Sequence, residues 1–351
     1  MAELTKRRFL QLAGLSLAGG VAPRGLTGEA APTPRRSVIV VTLGAVRSRE
    51  TFSPEGLGNI PTLGALRACG RFFATCVNTG DLSHAHSIAA IVTGNWGRPG
   101  APTLFERFQK DSGRHSPDAW AVCTDRRFPA LASRGANLVL PKRLLLAAAG
   151  RVANLRQLEG ILNDGYEDPG RTVFPSGSEL HADLRDALGR VVAAQIKGPG
   201  APASGDELTG IVSREILRAF APRLLLVSFA DTDVAHWGSY SRYLEAIGRA
   251  DRLVGMLWDE VESNARYRGR TTLLVLPELG RDGGGGPASG FRDHDSGDAS
   301  CRAVWMLALG AGVTAGVTER PISPIDIAPT AARLLGVRGG GMEGKALPEL
   351  S

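Results

Sequence analysis

The sequence has only four cysteines, and none of them forms a Cys-x-x-Cys pair or a zinc-finger spacing. That excludes a thiolate zinc knuckle and a dithiol redox motif. Cys123 and Cys301 lie in apolar, strand-like runs and read as small core residues. Cys69 and Cys76 are near enough in sequence to pair in an oxidising compartment. Basic runs are also missing. The formal net charge is +6, but beyond Lys6, Arg7 and Arg8 the basic residues are scattered. With no basic stripe and interleaved aromatics there is no nucleic-acid footprint. No apolar run suits a stable membrane span: the one from Phe9 to Ala22 is short and glycine-rich.

That run follows Lys6-Arg7-Arg8, and small residues come after it. A basic start, a short apolar stretch and small residues describe a signal peptide. The pattern resembles a twin-arginine translocation signal, with Lys6-Arg7 or Arg7-Arg8 as the pair before Phe9-Leu10. Cleavage is expected near Ala22 or Ala30-Ala31, so residues 1–31 are read as signal and linker, and localisation as periplasmic or extracellular.

Residues 32–351 have an ordinary globular composition for one α/β domain, with 43% hydrophobic and 22% charged residues over the whole chain. Val38–Leu43, Phe72–Val77, Ala119–Cys123, Leu138–Leu140, Leu224–Phe229, Thr271–Leu276 and Ala303–Leu309 read as strands. Pro61–Cys69, Ser87–Val92 and about Ser239–Glu262 read as helices. Strands separated by helices predict a three-layer α/β/α sandwich around a mainly parallel sheet. Residues 150–220 are expected to form a helical cap or side helices. In such sheets the active site lies beyond the carboxyl ends of the strands. Polar residues do gather there: Gly44 to Glu50, Asp231 to His236, and Glu278 to Arg281.

Four blocks resemble the alkaline phosphatase superfamily, which includes sulfatases, phosphodiesterases and phosphomutases. They are Val38–Leu43 with its loop to Pro54; Ser83-His84 through Thr93-Gly94; Asp231-Thr232-Asp233-Val234-Ala235-His236; and Glu278-Leu279-Gly280-Arg281 through Asp293-His294 to Leu334-Leu335-Gly336. Within that superfamily the chain resembles twin-arginine-exported, sulfatase-like proteins of unassigned function. The resemblance implies a metal-dependent hydrolase-like protein acting on or binding a phosphate or sulfate ester. A small anionic ester or a polysaccharide-type molecule would be its ligand.

Hydrolysis in this superfamily uses a pair of divalent ions and a metal-activated Ser or Thr. The resemblance implies Asp233, His236 and His294 as ligands of one ion, with Asp231 a rival for the aspartate role. Helix capping is the plain alternative for either aspartate. The second ion's ligands are reduced. Gly44 stands where the family has Asp, and Glu278-Leu279 where it has Asp-His. One divalent ion (Zn, Mn, Mg or Ca) is therefore expected, with Asp233, His236, Glu278 and His294 as its ligands. A non-catalytic, partner-binding protein is the alternative. Ser83 or His84 falls at the nucleophile position, and Ser83 also reads as a helix N-cap. Arg281 would clamp an anionic oxygen. Glu50 reads as an exposed loop carboxylate, with reach into the pocket as the alternative; His86 either faces the pocket or packs at the helix start; His115 and His181 read as surface residues.

Overall fold

The computed structural model describes residues 36–112, 118–123, 135–141, 189, 202–284 and 290–351. The signal segment, His115, His181 and residues 150–201 apart from Gly189 lie outside the described residues.

The fold is built on β1 (Ser37–Leu43), a β-branched run whose seven residues are all buried. A strand of that composition is stable only between two partners and under cover on both faces. Strands β5 (Leu224–Phe229) and β6 (Thr271–Pro277) supply the partners, both parallel to β1, so that Val40 sits opposite Leu226 and Leu274. The described sheet has eight strands in the order β4-β3-β5-β1-β6-β7-β2-β8. β3 is Ala119–Cys123 and β4 is Asn137–Val139, both running with β5. β7 (Ala303–Gly310) runs antiparallel to β6 and to β2 (Arg71–Val77), and β8 (Gly316–Thr318) runs parallel to β2. The sheet is thus mainly parallel, as predicted.

Alternation along β1 sorts the two cores. Ile39, Val41 and Leu43 pack under helices α1 (Pro61–Leu66), α4 (Gly205–Phe220) and α5 (Tyr240–Ser263). Val38 and Val40 pack under α2 (His84–Thr93), α3 (Leu104–Ser112) and α6 (Ile327–Leu335). α1 starts with Pro61, and its free N–H groups at Thr62 and Leu63 are bonded by the buried Asp251 of α5. Of the expected 150–220 region, residues 205–220 form α4, which packs on the sheet beside α5. Cys69 and Cys76 are not paired with each other: Cys76 is buried in a strand and Cys69 is exposed.

Candidate metal centre

Because β5, β1 and β6 are adjacent, whatever follows their carboxyl ends is brought together. After β5 the chain turns through a 3-10 helix, Asp231–Trp237, which carries Thr232, Asp233 and His236. After β1 comes Gly44, and after β6 comes Glu278, whose N–H bonds the Leu43 carbonyl at 2.8 Å. α2 begins over the same edge, with His84 as its first residue.

The structure brings His84, His236 and His294 into one cluster. One ring nitrogen from each lies within 4.8 Å of the others. Ring centroids are 4.6 Å apart for His84 and His294, and 5.0 Å apart for His236 and His294. His84 is buried, while His236 and His294 are partly exposed, so the cluster faces solvent on the side of the latter two.

Hydrogen bonds set the ring tautomers. His84 Nδ1 lies 2.8 Å from Glu278 Oε2. A carboxylate only accepts, so Nδ1 carries the proton and donates. Glu278 Oε1 in turn accepts from Thr42 Oγ1 at 3.0 Å and Ser228 Oγ at 3.1 Å. His294 Nδ1 donates to the Leu82 carbonyl at 3.1 Å by the same reasoning. Both rings therefore direct Nε2 elsewhere. His84 Nε2 is buried and faces Asp233 Oδ2 at 3.3 Å, an ion-pair contact without good hydrogen-bond geometry. A buried nitrogen in that condition marks a missing ligand or a proton.

Electrostatics distinguishes the rings. Burial disfavours a charged His84, but the Asp233 and Glu278 carboxylates outweigh it and raise its pKa to about 9. Burial, the His84 charge and Arg281 lower His294 to about 4. Burial and Arg281 also lower His236. His294 is thus neutral at pH 7 with its lone pair available. Without metal, His84 holds a proton at the place an ion would occupy.

The donor set fits one divalent ion. Three imidazoles with a backing carboxylate and a nearby aspartate suit zinc-like chemistry, the ion displacing the His84 proton. It differs from the expected set of Asp233, His236, Glu278 and His294. His236 and His294 lie together with His84, Asp233 reaches the cluster only through His84 Nε2 at 3.3 Å, and Glu278 uses its oxygens on Thr42, Ser228 and His84. His84, expected as a catalytic residue, supplies the third imidazole. Its place as the first residue of a helix over the sheet edge was the available signal.

The residues do not fit a second ion. At Gly44 a Cβ would lie 2.5 Å from Thr232 Oγ1, a buried hydroxyl without a hydrogen-bond partner. The space a carboxylate would need is therefore filled. Leu279 is fully buried in an apolar cluster with Ala45, Leu82 and Cys301.

The other candidates fall outside the histidine cluster or beside it. Asp231 and Asp206 form a buried clasp: Asp206 accepts from the Ala230 and Asp231 N–H groups, and Asp231 accepts from the Asp206 N–H and Arg249. Asp233, not Asp231, faces the cluster. Ser83 caps α2 by accepting from the His86 N–H, and its Oγ lies 2.6 Å from His86 Nδ1. Glu50 is buried, not exposed as expected, and Arg47 and Tyr240 hold it. Arg281 is fully buried and bonds Asp233.

No protein-family model and no curated protein matches the sequence. Solved structures do match in fold. A protein of the alkaline phosphatase superfamily from Vibrio parahaemolyticus aligns over 90% of this chain and 70% of its own, with TM-score 0.53 and 16% identity. A 2-O GAG sulfatase aligns over 89% of this chain and 73% of its own, with TM-score 0.58 and 14% identity. The phosphonate monoester hydrolase of Agrobacterium radiobacter covers 90% of this chain and 77% of its own, with TM-score 0.58 and 14% identity. The chain has the alkaline phosphatase-like α/β fold.

Proposed function

We propose that this chain, built on the alkaline phosphatase-like fold, is an exported protein that holds one divalent ion and binds the anionic head of a phosphate or sulfate ester. His84, His236 and His294 would hold the ion, with Asp233 beside them. The observation that carries this is the convergence of three imidazoles, one ring nitrogen of each within 4.8 Å of the others, with Asp233 Oδ2 3.3 Å from His84 Nε2. When bound, the ion supplies Lewis-acid polarisation of an ester oxygen.

The chain's own residues then have distinct tasks. Glu278 fixes the His84 tautomer, and Thr42 and Ser228 fix Glu278. Leu82 orients His294 through its carbonyl. Solvent and ligand enter past His236 and His294, the exposed members. The alcohol part of the ester, small or a polysaccharide, stays outside. Turnover is expected to be weak, because the Ser83 hydroxyl caps α2 and bonds the His86 ring outside the three-histidine cluster, so an ion held there would not activate it.

Elemental analysis of the full chain purified without chelator tests the reading, followed by titration with inorganic phosphate, inorganic sulfate and an aryl sulfate. One bound ion and ion-dependent anion binding support it. A folded chain that takes up no zinc or manganese and binds none of the anions would sink it. Anion binding with no ester cleavage would favour a binding protein; efficient cleavage would favour an enzyme. Export is tested by replacing Arg7 and Arg8 with Lys and fractionating cells; unchanged periplasmic yield removes the twin-arginine assignment.

A further inference from the structure

Arg281 is one of the largest side chains with no solvent exposure. Burying a guanidinium is costly unless every donor faces an acceptor. Here Nε bonds the Ala45 carbonyl at 2.7 Å, and one terminal nitrogen bonds the Arg292 carbonyl at 2.9 Å. The other bonds the Thr232 carbonyl at 3.1 Å and Asp233 Oδ1 at 2.9 Å. These acceptors come from the loops after β1, β5 and β6. The cation is thus enclosed by four oxygens, three of them carbonyls and one a carboxylate. Such an oxygen set is also what hard metal ions choose.

We propose that Arg281 is a built-in cation that takes the place of a second metal ion, making the centre mononuclear. This rests on the metal reading above for the first ion only. Asp233 is divided between two positive charges: Oδ1 belongs to Arg281, while Oδ2 faces His84 Nε2. Gly44 and Leu279 offer no ligand that could displace the guanidinium. A permanent charge replaces an exchangeable one, so neutralisation of Asp233 persists when the metal is removed. It cannot coordinate a nucleophilic oxygen, which accounts for a retained anion site without an activated serine. The arrangement is a substitution of electrostatics without substitution of chemistry. Arg281 is a positioning residue here, acting through Asp233.

The test compares the full wild-type chain, Arg281→Ala and Arg281→Lys. Each is equilibrated with excess Zn2+ or Mn2+ for elemental analysis, and its thermal midpoint is followed with and without about 10 mM guanidinium chloride, a level at which a site-bound cation stabilises by mass action. We expect one ion in the wild type and no response to guanidinium. We expect Arg281→Ala to have a lowered midpoint that guanidinium largely restores, potassium chloride serving as the salt control, and to accept a second Mn2+. Arg281→Lys should keep a single ion. Two ions in the wild type, or a second ion in Arg281→Lys, would overturn the proposal. So would an Arg281→Ala protein that folds yet responds to neither guanidinium nor Mn2+. If Arg281→Ala folds only with guanidinium present, the proposal stands. If it folds under no condition, the Lys variant decides. A wild type with no ion at all removes the metal reading of the histidines, while guanidinium rescue of Arg281→Ala still decides the role of Arg281.

Discussion

Asp233 separates two unlike halves of one site. On its Oδ2 side stand three imidazoles, two of them partly exposed, with His84 Nε2 3.3 Å from the carboxylate. On its Oδ1 side stands a guanidinium with no exposure, hydrogen-bonded to three carbonyls and to Asp233 itself. The first half is incomplete without a ligand, and the second is complete as it is. A cleft can thus keep a place for exchange beside a place permanently filled, and one aspartate can serve both. The difference follows from what each side can release: a metal ion dissociates, a side chain does not.

Four experiments test that division. The largest effect is expected from His236→Ala or His294→Ala. Losing a ligand from a set of three imidazoles should lower metal affinity by at least about a thousandfold, or roughly 4 kcal/mol, as read by competition with a chromophoric chelator. Retention of wild-type affinity would mean that the imidazoles do not form the exchangeable half. Next comes Gly44→Asp with Leu279→His, which puts metal-binding side chains on the filled half. A Cβ introduced at Gly44 meets Thr232 Oγ1 at 2.5 Å, and an overpacked core loses about 1–3 kcal/mol. Urea denaturation should show that loss, and elemental analysis should show no second ion. A gain to two ions would break the comparison.

A smaller effect is expected from Glu278→Gln. Loss of the carboxylate behind His84 should weaken metal binding by about 10- to 100-fold, as outer-shell substitutions do, with the fold intact by circular dichroism. No change would show that the Glu278–His84 hydrogen bond does not direct Nε2. The smallest is Ser83→Ala. Removing this N-cap should cost about 1 kcal/mol of stability and leave metal affinity unaltered. A large loss of metal would place Ser83 in the site after all.

Much of the frame is legible in the chain. The uninterrupted run Val38–Leu43 implies a strand buried on both faces, and it lies at the centre of the sheet. The spacing of Tyr243, Leu244, Ile247, Val254, Leu257, Trp258 and Val261 implies a long helix with one apolar face; along α5 five of them are buried, and Leu244 and Trp258 are partly buried against the core. Ser83 reads as a cap and is one. Local chemistry decides such features within a few residues, so a single sequence carries them.

Ligand sets are different, because they join residues far apart in sequence. His84 lies 194 residues from Glu278, yet they are hydrogen-bonded. Composition shows both as polar groups near strand ends, but not that Glu278 would back an imidazole instead of binding metal. Likewise, two aspartates two residues apart read alike. Only packing of the α4 N-terminus against the turn gives Asp231 to Asp206 and leaves Asp233 to the cluster. Arg281 reads as an anion clamp by its sequence, and its burial turns the same charge inward toward Asp233.

By itself, the sequence determined seven of the eight described strands, the three-residue β8 being the one it missed, that helices cover them, and that histidines and acids collect past the strand ends. Those outcomes depend on hydrophobic period and on short-range capping, both written in consecutive residues. Tertiary structure alone decided which polar groups satisfy one another. In a water-excluding site, each donor takes the acceptor within about 3 Å that leaves the least charge unpaired, and that choice depends on the positions of all the neighbours at once.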